Sequence, residues 1–287
     1  MFGFLNVYKP VGKTSHDVVA YFRKLLKIKQ IGHTGTLDPF AEGVLPVCIG
    51  KATRLIEYLP DDKAYIAYVQ FGKSTDTYDT EGAVTFESEK KISENELINA
   101  LKFFEGEIEQ IPPVYSAIKV DGKKLYEYAR AGEEIEIKPR KVTISKIELK
   151  NFDYGNQTAQ IYIECSKGTY IRSVANDLGQ QLECGGHLYR LIRTKAGKFI
   201  VENSVKMDEY NSTEFVKNNL IEPISMLNMP VYKLSDEENE KVSHGQSILN
   251  KSMKCVDFII LVYNNRIKAV AKVDNGIIKV CKVFDNA

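Results

Sequence analysis

The chain has 287 residues, 44% of them apolar, enough for one large and one small domain with ordinary cores, and it is expected to fold alone and act as a monomer. Cys48, Cys165, Cys184, Cys255 and Cys281 show no C-x-x-C spacing, and an odd cysteine count argues against a secreted disulfide framework, so a cytoplasmic protein without structural zinc is expected. The formal net charge is only +1, no apolar run of signal-peptide length opens the sequence, and the stretch 258–263 is too short to cross a bilayer, which excludes membrane insertion.

Ser15 is placed to cap a helix to about Lys27, because Val18, Val19, Phe22, Leu25 and Leu26 share one face at 3- and 4-residue spacing. Residues 65–71 alternate Tyr65, Ala67, Val69 and Phe71 with Ile66, Tyr68 and Gln70, the period of a strand. Ser93 and Glu96 form a capping box for a helix to Phe104 carrying Leu97, Ile98, Leu101 and Phe104 on one side. Residues 111–141, with Pro112-Pro113, Asp121-Gly122, and a basic stretch holding Tyr126 and Tyr128, read as an inserted flexible arm. A strand over 158–165 leads through Lys167-Gly168 into a helix burying Ile171, Val174, Ala175, Leu178 and Leu182, ended by Gly185-Gly186. Beyond residue 225, Ser235 and Glu238 give another capping box, Gly245 stops that helix, and Asn264-Asn265 and Asn275-Gly276 mark turns between short strands. The order is α+β: a catalytic-sized domain over 1–225 with flanking helices and an arm, then a small β-rich domain over 226–287.

The segment Gly32-His33-Thr34-Gly35-Thr36-Leu37-Asp38-Pro39 carries the chemistry. Its glycines, hydroxyls and Asp-Pro step force a tight loop that displays a carboxylate in apolar company, fit for a nucleophile or base; the same pattern also serves an ordinary Asx turn. Arg172 falls in the first turn of a helix, where the dipole prefers an acid, so it needs a partner: Asp38, through bidentate hydrogen bonds, or a phosphate or water. Tyr65 and Tyr170 stand at element boundaries, where a ring either stacks on an extruded base or fills a core. Charge is uneven: +4 over residues 1–60, −7 over 61–118, +3 over 119–150 and +4 over 165–200. Three basic segments around an acidic one suit a polyanion, although alternating salt-bridged surfaces give the same totals.

Residues 3–15, 32–46, 63–65 and 165–172, in this order and running on through Leu191-Ile192-Arg193, resemble the signature of TruB-type tRNA pseudouridine synthases. Residues 234–246 resemble, more loosely, the PUA-type RNA-binding domain common in that family. The resemblance implies a mixed, mainly antiparallel sheet, and it implies roles. Asp38 matches the essential aspartate, Tyr65 the tyrosine that stacks on the target base, and Arg172 the arginine paired with the aspartate. Tyr170 and Leu191 match the uracil pocket, and His33 a histidine of base extrusion. Lys63, Lys9, Arg193 and Lys167 lie in the same segments and are expected to contact substrate. Phe40 and Glu42 depart from the family pattern.

Isomerising the T-loop uridine, uridine-55, breaks N1–C1′ and joins C5 to C1′ without redox change, so no cofactor is expected, and the partner is the T stem-loop of tRNA, with its nucleotide flipped out. No metal is expected, since His16, His33, His187 and His244 are scattered; His16 and His244 read as surface residues at helix ends and His187 as satisfied in a turn. Two other readings stay open at this point. A non-catalytic RNA-binding or tRNA-folding protein would not need Asp38, and a glycosidase-like hydrolase would need a second positioned carboxylate as acid.

Overall fold

A computed structural model describes residues 1–133, 135–250 and 256–284; Cys255 lies outside them. Strand β1 (Gly3–Lys9) leads to helix α1 (Ser15–Leu26), which opens with a capping box at Thr14, not Ser15: the Thr14 hydroxyl accepts from the Asp17 amide and the Asp17 carboxylate from the Thr14 amide. Val18, Val19 and Phe22 are buried as the spacing requires. Then follow β2 (Ile31–His33), β3 (Glu42–Ile49), β4 (Lys63–Phe71) and the small hairpin β5 (Lys73–Thr75) and β6 (Val84–Glu87). Helix α2 (Glu94–Leu101) has the expected Ser93–Glu96 box and buries Leu97 and Leu101, with Phe104 buried just beyond, whereas Ile98 is exposed.

After β7 (Gly106–Gln110), the inserted segment is more ordered than its sequence implies. It forms a hairpin of β8 (Lys119–Val120) and β9 (Lys123–Lys124), turning at left-handed Asp121 and Gly122, and a short helix α3 (Leu125–Ala131). Leu125 is fully buried. Residues 140 and 141 belong not to this segment but to β10 (Arg140–Asp153). The strand β11 (Thr158–Cys165) and helix α4 (Ile171–Gln181) are followed by β12 (Gly186–Ala196), β13 (Phe199–Ile200), β14 (Val205–Lys206), α5 (Thr213–Asn218) and α6 (Pro223–Met226). His187 lies in β12, not in a turn, and its Nδ1 is 3.0 Å from the Lys73 carbonyl.

Among the described residues these strands build a ten-stranded mixed sheet in the order β14-β1-β3-β12-β4-β11-β10-β7, with β2 on β3 and β13 on β12. Pairing is antiparallel except for β1–β14 and β3–β12. Helices α1, α2 and α4 cover one face, where Phe22, Leu101 and Leu178 belong to the same buried core as Val69, Phe71 and Ile161. Two glycines make close approaches possible. Gly43 is left-handed (φ +107°), and a Cβ there would stand 2.3 Å from the Arg193 carbonyl; one on Gly179 would stand 2.1 Å from the Gly186 amide, where α4 rides on β12.

The last described residues form a five-stranded sheet of β15 (Val231–Lys233), β16 (Ile248–Leu249), β17 (Val256–Tyr263), β18 (Arg266–Asp274) and β19 (Ile277–Val283), with α7 (Asp236–Ser243) capped by Ser235. Asn264, Asn265, Asn275 and Gly276 are all left-handed, as two-residue hairpin turns demand. This module packs on the large sheet through a second core joining Phe4, Val44 and Cys48 to Ile260, Val262 and Phe284. No helix among the described residues is long and apolar enough to cross a membrane.

Candidate active site

The loop from Thr34 to Ala41, between β2 and β3, is held from four directions. On one side the Ser15 hydroxyl donates to the Leu37 carbonyl (3.0 Å) and accepts from the Leu37 amide (2.8 Å), so this residue clamps the loop and does not cap its helix. The Lys9 ammonium donates to the carbonyls of Pro10, Lys13 and Pro39. Arg193 donates from Nε to the Val44 carbonyl (2.7 Å) and from its other nitrogens to those of Gly35 and Thr36. Lys9 and Arg193 are fully enclosed, which places them behind the pocket wall as braces. Between these braces Asp38 faces the fourth contact, Arg172.

Arg172, from the first turn of α4, lies with Nε 3.0 Å from Asp38 Oδ2. The Nε–H is not aligned on that oxygen, so the contact is an ion pair and not the bidentate fork expected from the sequence. The other guanidinium nitrogens are taken: Nη1 donates to the Thr77 carbonyl (3.1 Å) and lies 3.4 Å from Asp79 Oδ2, and Nη2 donates to the Tyr115 carbonyl (2.9 Å). One guanidinium therefore joins the loop, the 75–79 turn and the arm.

Asp79 was not singled out in the sequence. It is buried, and its Oδ1 accepts from the Thr77 hydroxyl (2.6 Å) and the Glu81 amide (3.0 Å), which aims Oδ2 at Arg172. The hydroxyl- and carboxylate-rich run from Ser74 to Gly82 was the available signal of a structured turn. Gln110 was also missed: it accepts from the Tyr170 amide and donates to the Tyr170 carbonyl, which fixes the start of α4.

These groups surround a cavity of about 250 Å³, lined by Asp38, Lys63, Tyr65, Tyr170, Arg172 and Leu191 together with Thr36, Leu37, Ser116, Ala117, Gly168, Thr169 and Ile171. That is below the roughly 300–1,000 Å³ of a drug-sized site and suits a single planar ring. Enclosure pushes the Asp38 carboxyl above its usual range; Asp79 adds to this, and Arg172 and Lys9 oppose it. Burial raises the Tyr65 phenol to about 12, so it is neutral near pH 7. A partly desolvated carboxylate with an oriented cation is equipped for nucleophilic attack or proton removal.

His33 and Lys167 stand away from this cavity. His33, on β2, is half-buried, and burial, with the charges of Arg193 and His16, holds its imidazole below the usual range. Lys167 is exposed, paired with Asp61 at 2.6 Å, and lines a neighbouring cavity of about 190 Å³. Phe40 is buried in the core and Glu42 bonds Tyr8 and Arg190, so both departures from the family pattern have structural partners. Among the described residues no group of three or more His, Cys, Asp or Glu could hold a metal ion.

The family model described as TruB family pseudouridylate synthase (N terminal domain) matches residues 23–171, and that of the tRNA pseudouridylate synthase B C-terminal domain matches residues 172–230. The chain belongs to the TruB family. Its pocket is built from both matched segments, Asp38, Tyr65 and Tyr170 from the first and Arg172 and Leu191 from the second. It is 38% identical over 290 residues to tRNA pseudouridine synthase B of Clostridium kluyveri, covering 99% of this chain and 100% of that one. To the protein of that name from Caldanaerobacter subterraneus subsp. tengcongensis it is 44% identical, covering 92% of this chain and 91% of the other. Among solved structures, an H/ACA RNP bound to a substrate RNA containing 2'-deoxyuridine is similar at TM-score 0.69 and 26% identity over 99% of this chain and 85% of that one. A Cbf5-Nop10-Gar1 complex gives 0.70 and 27% over 98% and 84%.

Proposed function

We propose that this TruB-family chain converts uridine-55 in the T loop of tRNA to pseudouridine, with Asp38 as the nucleophile and without a cofactor. The observation that carries this reading is the ring-sized cavity whose floor holds Asp38 against Arg172, with Arg172 itself fixed by Asp79 and two carbonyls. The relatives named tRNA pseudouridine synthase B favour tRNA as the substrate. In this reading the uridine leaves the loop stack and its ring enters between Tyr65, Tyr170 and Leu191. The few kcal/mol of unstacking is offset by phosphate contacts and by stacking. Arg172 orients the Asp38 carboxylate toward the ring or C1′. Residues 119–150 and 165–200 supply basic contacts to the T stem, Lys167 and His33 touch RNA beside the flipped base, and the module over 226–287 binds RNA as a PUA-like domain.

The test is to incubate an unmodified tRNA transcript with the protein in metal-free buffer and map pseudouridine by carbodiimide adducts and primer extension. A stop at position 55, absent from a transcript with cytidine there, is expected. RNA binding without any adduct would leave a binding or folding role, and free uracil would make the chain a hydrolase.

A further inference from the structure

The cations around the Asp38 pocket outnumber its anions. Asp38 and Asp79 share Arg172, Lys9 and Arg193 rest on backbone carbonyls, and Lys63 lines the cavity with no carboxylate at ion-pair distance among the described residues. The two acids before it in sequence are engaged elsewhere, Asp61 with Lys167 at 2.6 Å and Asp62 with Lys195 at 2.7 Å. The Lys63 side chain lies over Gly35, where an added Cβ would stand 3.5 Å from its Cε and 3.8 Å from both its Nζ and Arg193 Nη1. Burial and the neighbouring Arg193 push this ammonium below its usual range, a penalty on its charged form that an anion in the pocket would relieve.

The chemistry supplies such an anion by every route open to Asp38. Addition of the carboxylate to C6 leaves an enolate over C5, C4 and O4. Displacement at C1′ forms the carboxylate–C1′ bond and breaks C1′–N1 with its electron pair going to uracil. Removal of the 2′ proton by the carboxylate forms a C1′–C2′ double bond and expels the same uracil anion. C5 then bonds to C1′ as the carboxylate leaves C1′ or as C2′ takes its proton back; on the C6 route N1–C1′ breaks first and the carboxylate is eliminated from C6 afterwards. Finally C5 gives up its proton and N1 takes one.

We propose that Lys63 is a catalytic residue whose ammonium faces the negative charge developing on the uracil ring. The inference rests on the isomerase reading above. Lys63→Met keeps the aliphatic stem and removes the charge. Once the intact protein has been shown to convert the RNA, the single-turnover rate of this variant is expected to fall about 10²- to 10³-fold, as for loss of one preorganised donor, with the RNA Kd changed less than tenfold. In Lys63→Ala, ethylammonium ion should restore the rate in a saturable way that sodium at equal ionic strength does not. A weakened Kd with an unchanged rate would make Lys63 a phosphate contact, and an unrescued rate loss with a lowered melting temperature would make it structural; either result overturns the proposal. Failure of the intact protein to convert the RNA is a separate outcome that defeats the isomerase reading and this one together.

Discussion

Asp38 is pulled in opposite directions by its surroundings. The pocket wall and Asp79 favour the neutral acid, while Arg172 and Lys9 favour the carboxylate, and the balance lies above the usual carboxylate range. A group whose pKa is raised on folding binds more protons in the native state between its ordinary and raised values, so stability falls as pH rises through that window. Asp38→Asn removes this penalty and leaves Arg172 facing Asp79 alone. The variant is expected to be more stable than the intact protein near pH 7, by about 1 kcal/mol, an amount kept small because 35% of the side chain still meets solvent. The difference should vanish as pH falls below the ordinary aspartate range, and paired thermal melts across pH check it. Equal melting temperatures near pH 7 would show that Arg172 fully offsets the burial.

At the scale of elements, the loop that carries Asp38 is rigid because β1, α1, β12 and α4 each contribute a side chain to it. Ser15→Ala leaves the Leu37 amide and carbonyl buried without partners, which is expected to cost about 1–3 kcal/mol in urea unfolding and to lower the single-turnover rate through a looser Asp38. An unchanged rate would show that the other three braces suffice. Ser15, Asp79 and Gln110 were illegible as functional residues because what each does depends on a partner far along the chain, Leu37, Arg172 and Tyr170 respectively. Local pattern was a good guide where one face alone is buried, as in β4 and β11, whose alternation survives intact. It gave nothing for β3, which is apolar on both faces, or for β12, where two irregularities in pairing and the buried Arg193 break the period. The bidentate Asp38–Arg172 pair was misjudged for a similar reason: the sequence does not reveal that Thr77, Tyr115 and Asp79 compete for the same guanidinium.

For the whole molecule, a net charge of +1 conceals basic segments, two of which the fold brings to one pocket: the end of β1 and the start of α1, from residues 1–60, and the start of α4, from 165–200, meet at the Asp38 loop. If these segments contact about five phosphates, tRNA affinity is expected to drop at least about 100-fold between 50 and 200 mM salt. Filter binding at several salt concentrations measures the slope, and a flat profile would contradict the charge argument. The C-terminal sheet was legible from its Asn-rich turns and capped helix, but its docking through Phe284 and Ile260 onto Phe4 and Val44 was not, since apolar pairs of such separation leave no local mark.

Tritium release from tRNA labelled at uracil C5, compared between the intact protein and Asp38→Asn in metal-free buffer, tests most directly the proposed isomerisation by Asp38 in this pocket. Release by the intact protein alone, with tRNA affinity of the variant within about tenfold (roughly 1.4 kcal/mol), is the predicted result. Release by both proteins at similar rates would contradict the assignment of Asp38.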